Sequence, residues 1–117
     1  MKAEGTSSGQ VLRIGSAINL AGGAISEYER LHAAVWPEVL SQIARSNIRN
    51  YSIFRMDQQL FSYLEYTGID YVADMANMAA DPEIQRWWEQ CQPLQQQVPG
   101  TSGGEWWRTL PEIFHTD

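Results

Sequence analysis

The sequence predicts an α+β fold in the order β-α-β-β-α-β, a split βαβ arrangement with a four-stranded antiparallel sheet and helices on one face. Three observations predict it. Residues 11–20 alternate between two faces, one of them largely apolar. Two stretches with helical periodicity bracket a pair of strand-like runs joined only by Met56-Asp57-Gln58. A final aromatic run follows a loop rich in Gln, Gly and Pro.

In Val11 to Leu20, Leu12, Ile14, Ser16, Ile18 and Leu20 share one face, and Arg13, Gly15, Ala17 and Asn19 the other. That is a strand with one side in the core. Ala21-Gly22-Gly23 makes a turn, and Ser26 with Glu29 forms a capping box that opens a helix. The helix runs to about Ser46, with Tyr28, His32, Val35 and Val39 at helical spacing. Pro37 lies inside it and removes one backbone donor, so a kink is expected near Trp36. Ile48 to Arg55 and Leu60 to Tyr66 then form a hairpin. Regular alternation puts Ile48, Asn50, Ser52 and Phe54 on one face, with Arg49, Tyr51 and Ile53 opposite. Ile69 to Ala80 is a second helix with Val72, Met75, Ala76 and Ala79 on its apolar side. Asp81-Pro82 restarts it, since proline suits the first helical position, and the new segment reaches about Cys91. Residues 93–104 are a loop. Trp106 to His115 is the last strand, confined by Pro111 to an edge or an irregular pairing. One sheet face stays uncovered, and a second copy of the chain, packed sheet to sheet, is the expected cover.

The 117 residues are the size of one domain. Residues 1–10, polar and rich in Gly and Ser, read as a flexible leader, and residues 11–117 as the folded domain. A net charge of −6 argues against nucleic-acid and anionic-membrane surfaces. The lone Cys91 excludes an internal disulfide and points to a reducing, cytoplasmic setting. No apolar run is long enough for a membrane span. No metal-ligand spacing, Gly-rich phosphate loop or nucleophile elbow is present.

Two runs carry the chemistry. In the first, His32 stands four residues after Tyr28, on the same helix face. A histidine there can serve as a general acid or base with a tyrosine partner, while spacing alone favours a surface or satisfied buried histidine. In the second, Trp87 and Trp88 are adjacent. Successive helical residues point about 100° apart, so one indole belongs to the core and the other needs a different partner. A flat apolar ring with one N–H donor suits the apolar face of a sugar. Tyr51 is a sheet-packing tyrosine or a pocket residue, and Trp106-Trp107 alternate across the last strand as packing or pocket wall.

Taken in order, Tyr28-Glu29-Arg30-Leu31-His32, Val35-Trp36-Pro37-Glu38, Asn50-Tyr51-Ser52-Ile53-Phe54, Asp81-Pro82, Gln85-Arg86-Trp87-Trp88 and Glu112-Ile113-Phe114-His115 resemble the L-rhamnose mutarotase family, over about Leu12 to His115. The resemblance implies a ferredoxin-like fold, paired sheet to sheet with a second copy as a dimeric α+β barrel. It implies interconversion of the α and β anomers of a 6-deoxy-L-hexose, L-rhamnose first and L-fucose next, without metal or organic cofactor. It also implies a catalytic role for His32 and sugar binding by Tyr28, Tyr51, Trp87 and Trp88. In the chemistry so expected, His32 protonates the ring oxygen and recovers the proton on closure, while Tyr28, Tyr51 or a water serves the C1 hydroxyl. Rival readings are a cofactor-independent or haem-degrading monooxygenase on the same barrel, with His32 as a haem ligand, and a non-catalytic sugar-binding module.

Overall fold

In the computed structural model, which describes residues 10–117, the alternation of the first strand sets the two faces of the whole sheet. The expected leader lies, except for Gln10, outside the described residues. Strand β1 (Leu12–Leu20) pairs antiparallel with β3 (Gln59–Tyr66), setting Ile18 opposite Leu60, Ser16 opposite Ser62 and Ile14 opposite Leu64. Strand β2 (Ile48–Met56) pairs antiparallel with β3 through a tight turn at Asp57, whose φ of 52° lies in the left-handed region. On the other side of β1 lie two short strands, β4 (Gln95–Gln96) and β5 (Arg108–Leu110). The architecture is the ferredoxin-like α+β arrangement, with the fourth strand position divided in two.

The helices are shorter than the sequence suggests. The expected kink at Pro37 is a full break: α1 (Ile25–His32) ends at the histidine, and α2 (Pro37–Arg45) starts at the proline. Trp36 between them is extended at φ −61°, ψ 138°. The Pro37 ring disfavours helical geometry at the preceding residue, while its own φ suits a first helical turn, so the two effects together end one helix and begin another. The expected capping box is absent. α1 is capped at Ala24 without a side-chain bond, and Glu29 instead pairs with Arg55 of β2 at 2.7 Å. Helix α3 (Tyr71–Ala80) is capped by Asp70, and α4 (Pro82–Cys91) by Asp81, whose carboxylate accepts from the Glu83 and Ile84 amides. The inward side of α3 also differs from expectation. Tyr71, Met75 and Met78, at i, i+4 and i+7, turn toward the sheet, and Val72 is 78% exposed.

The expected strand from Trp106 to His115 forms only at Arg108–Leu110. Pro111 cannot continue a ladder, and beyond it the chain runs without regular structure, with Ile113 and Phe114 exposed. The core lies between the sheet and the helices, built from Ile18, Leu20, Leu60, Tyr28, Val39, Ile84 and Trp87. Among the described residues no helix is long and apolar enough to cross a membrane.

Candidate active site

The five residues singled out from the sequence line a single cavity of about 320 Å³ between the sheet and the helices. That volume is at the small end of ligand pockets, which run roughly 300–1,000 Å³. Tyr28 and His32 reach it from consecutive turns of α1, and their rings stack at 4.2 Å between centroids with 21° between planes. Trp87 meets the His32 ring edge-on at 5.2 Å, and Trp36 meets Trp87 edge-on at 5.1 Å. A second hollow of about 290 Å³ shares His32, Tyr51 and Trp87 and is flanked by Val35 and Leu40.

The indole pair departs from the simple expectation of one core ring and one outlying ring. Ile84, Trp87, Trp88 and Cys91 occupy i, i+3, i+4 and i+7, the apolar stripe of α4. Trp87 is buried, Trp88 is half-buried, and both line the cavity, because it is set against that stripe.

Tyr51 reaches the cavity by a device that alternation conceals. The β2–β3 register shifts between Arg49 and Ser52, leaving one extra residue in β2, and Asn50 sits at φ 51°. The bulge returns Tyr51 to the side of Ile48, and Ile48, Tyr51 and Ile53 all line the pocket. This corrects the expectation that Tyr51 faces away from Ile48. Phe54 is correspondingly left on the open sheet face, 63% exposed.

Burial dominates the electrostatics of the titratable groups here. His32 Nδ1 lies 2.9 Å from the Tyr28 carbonyl oxygen. A carbonyl only accepts, so Nδ1 carries the hydrogen, and in the neutral ring Nε2 carries the lone pair. Burial lowers the His32 pKa below 6.5, partly opposed by that backbone bond, so the neutral form is favoured. Burial pushes the Tyr28 phenol up and the Tyr51 phenol up to about 12, so both keep their hydrogens at neutral pH. Cys91 is likewise pushed up by burial to about 12, which suits an unreactive packing thiol. On the sheet side Ser16 and Ser62 share a 2.6 Å hydrogen bond between hydroxyls. Among the described residues no group of three His, Cys, Asp or Glu side chains is placed to hold a metal ion.

Sequence reasoning missed Tyr71, Gln95 and the serine pair. Gln95 belongs to a short Gln run that looks like featureless loop, and the serines are small residues within apolar strands. Trp106 and Trp107 both line the cavity, one exposed by more than a third and the other packed on the core.

An imidazole whose neutral form is favoured, stacked on Tyr28 and set over a sheet that presents hydroxyls, forms a candidate acid–base pocket. Comparison with known proteins gives the family. The model of the family described as L-rhamnose mutarotase matches residues 13–116. An L-rhamnose mutarotase of Opitutus terrae is 34% identical over 109 residues, covering 92% of this chain and all of the relative. An L-fucose mutarotase of Xanthomonas campestris is 37% identical over 94 residues, covering 77% of this chain and 74% of the relative. The crystal structure of an L-rhamnose mutarotase from Formosa agariphila superposes with a TM-score of 0.71 at 23% identity, covering 91% of this chain and 99% of that one, and so shares the fold. The chain belongs to the L-rhamnose mutarotase family, a family of carbohydrate isomerases.

Proposed function

We propose that the chain interconverts the α and β anomers of a 6-deoxy-L-hexose, with L-rhamnose the first candidate and L-fucose the second. The observation that carries this reading is the His32 ring, tied back through Nδ1 to the Tyr28 carbonyl and presenting a bare Nε2 among Tyr28, Tyr51, Trp87 and Trp88. Opening a hemiacetal takes a proton from the C1 hydroxyl and returns one to the ring oxygen. Neutral Nε2 accepts the C1 hydroxyl proton while the C1=O bond forms and the C1–ring-oxygen bond breaks. The imidazolium then hands the same proton to the ring oxygen, which shares C1 with the hydroxyl. Rotation about C1–C2 followed by the reverse steps gives the other anomer. Donation thus follows acceptance, which refines the expected order of events at His32. The indoles hold the ring face and the C6 methyl, an apolar group that a 6-hydroxy sugar lacks.

The open sheet face supports pairing of two copies. Phe54, Phe61 and Ala17 are cross-strand neighbours there, as are Ser52, Tyr63, Gly15 and Leu110, and Phe54 and Met56 are more than 60% exposed. We assign this face to a homodimer interface. A buried free thiol without a partner suits a reducing cytoplasm.

Saturation-transfer NMR on L-rhamnose, L-fucose and their 6-hydroxy counterparts tests the activity. Anomer exchange well above the spontaneous rate for a 6-deoxy-L-hexose, and weaker for its 6-hydroxy counterpart, is expected. Spontaneous rates for all four sugars would overturn the reading.

A further inference from the structure

The direction of the hydrogen bonds at the Tyr28 hydroxyl is set by two residues of the cavity wall, Gln95 and Trp106. Trp106 Nε1 donates to Gln95 Oε1 at 2.6 Å, and Gln95 Nε2 donates to the Tyr28 hydroxyl oxygen at 3.1 Å. An indole N–H can only donate, so the amide atom facing it is the carbonyl oxygen. The other end of the Gln95 amide is then its NH₂ group, which also only donates. The Tyr28 oxygen must accept, and its own hydrogen cannot point at Gln95. No acceptor for that hydrogen is found among the described residues, yet Tyr28 is only 4% exposed and lines the cavity.

We propose that Gln95 and Trp106 are positioning residues that fix the Tyr28 hydroxyl as a one-way donor into the pocket, where it takes the ring oxygen of the bound sugar. This rests on the mutarotase reading. The ring oxygen of a pyranose has no hydrogen and can only accept, whereas the C1 hydroxyl must donate to lose its proton. The pocket offers the complementary pair from one helix face, Tyr28 as fixed donor and His32 Nε2 as fixed acceptor. A sugar placed the other way round sets its ring oxygen against Nε2, acceptor against acceptor. Tyr28 keeps its proton throughout and stabilises charge developing on the ring oxygen as the C1–oxygen bond breaks.

Three features hold the relay rigid. Gln95 sits in β4 opposite Leu20 of β1. Gln97 Nε2 donates to the Trp106 carbonyl at 3.0 Å. Arg108 Nη1 donates to the Pro99 carbonyl at 2.6 Å, and its guanidinium packs against Gly100, at φ +86°, where a side chain would otherwise stand.

The test compares binding of L-rhamnose with that of its carbocyclic analogue, in which CH₂ replaces the ring oxygen, by calorimetry. The wild type should prefer the sugar by about 5- to 160-fold, the range for leaving a buried donor unpaired. Gln95→Glu keeps an acceptor for Trp106 but turns the Tyr28 hydrogen away from the pocket. It should cut the preference to about threefold or less and lower kcat for anomer exchange by about tenfold or more. Gln95→Met, which neither donates nor accepts well, should give an intermediate preference, and Tyr28→Phe should abolish it. In ligand-free protein, Tyr28→Phe should also shift the side-chain ¹⁵N–¹H resonances of Gln95 and Trp106. Unmoved resonances, or a wild-type preference retained in Gln95→Glu, overturn the relay. A wild-type protein that exchanges no 6-deoxy sugar overturns the mutarotase reading, and the ring-oxygen assignment with it.

Discussion

Replacing His32 with phenylalanine separates proton transfer from packing. The imidazole stacks on Tyr28 at 4.2 Å and meets the edge of Trp87 at 5.2 Å, and a phenyl ring reproduces both contacts. What His32→Phe removes is the Nδ1–H bond to the Tyr28 carbonyl and the Nε2 lone pair. The lost backbone bond costs about 0.5–1.5 kcal/mol of stability, a fall in Tm of about 2–6 °C for a domain of this size. The alanine variant loses the two ring contacts as well, each worth about 0.5–1.5 kcal/mol, and should melt lower. Loss of the shuttle removes about 10²–10⁴-fold of rate, or about 2.7–5.4 kcal/mol of transition-state stabilisation. Binding loses one hydrogen bond at most, about 2- to 12-fold in Kd. The expected signature is therefore a collapse in anomer exchange by saturation-transfer NMR, with sugar still bound by calorimetry and the fold intact by circular dichroism. A His32→Phe protein that exchanges anomers within about threefold of wild type would refute the assignment, since no effect in the general acid–base range is that small.

The acid limb of the pH profile should follow the same ring. Exchange needs neutral Nε2, so kcat/KM should fall as pH drops through a His32 pKa that burial holds below 6.5, and a limb centred above 6.5 would contradict the burial argument. Stability shifts with the same sign: below pH 6.5 the unfolded chain binds a proton that the folded pocket resists, so this stabilisation is full above 6.5 and is lost as pH falls through the folded value. No alkaline fall is due to Tyr28 or Tyr51 below pH 10, because burial raises both phenols, and an activity loss between pH 8 and 10 that Tyr51→Phe removes would count against this. At Asn50, φ 51° is tolerable for asparagine and strained for a β-branched side chain. Asn50→Val should cost about 1–2 kcal/mol in urea unfolding and Asn50→Gly much less, so equal losses would argue against strain at the bulge. On the open sheet face, Phe54→Glu should convert a dimer to a monomer in light scattering while leaving the monomer folded, and an unchanged mass would remove Phe54 from the interface.

Strand β1 was legible because one of its faces turns inward, with Ile18 and Leu20 buried and Ile14 and Ser16 half-buried, and such burial writes a period of two into a sequence. The tryptophan pair and His32 were legible as unusual residues, and all of them reach the cavity. Tyr51 was assigned to the wrong face because parity counting assumes a regular ladder, and a bulge adds one residue without any apolar signature. The break at Pro37 was underestimated for a similar reason. The proline was visible, but the restriction it places on Trp36 decides between bending a helix and ending it. Val72 was misplaced because α3 uses Tyr71 and two methionines against the pocket, while alanines and a valine make a more obvious apolar pattern. The Gln95 amide leaves no trace in local pattern, since its partners lie 67 and 11 residues away.

The division of labour in the pocket bears on which sugar is used. Tyr28, Trp87 and Cys91 belong to the core as well as the cavity wall, so changing them perturbs folding and recognition together. L-rhamnose and L-fucose share the C6 methyl and differ in hydroxyl configuration at C2 and C4, which aromatic walls do not distinguish. Relatives named for the two sugars are 34% and 37% identical to this chain, so overall similarity does not separate them either. Discrimination requires polar groups that meet individual hydroxyls. Apart from the groups proposed to serve C1 and the ring oxygen, polar residues lining the cavity include Ser16 and Ser62 on the sheet, Thr109 on β5, opposite Ser16, and Tyr51, Tyr71 and Gln92. Ser16 and Ser62 already bond each other, so between them one hydrogen remains to offer a ligand. On the proposed reading, substitution at these polar side chains tests the choice between the two sugars, and at Ser62, 8% exposed and bonded to Ser16, such a change also touches the packed interior.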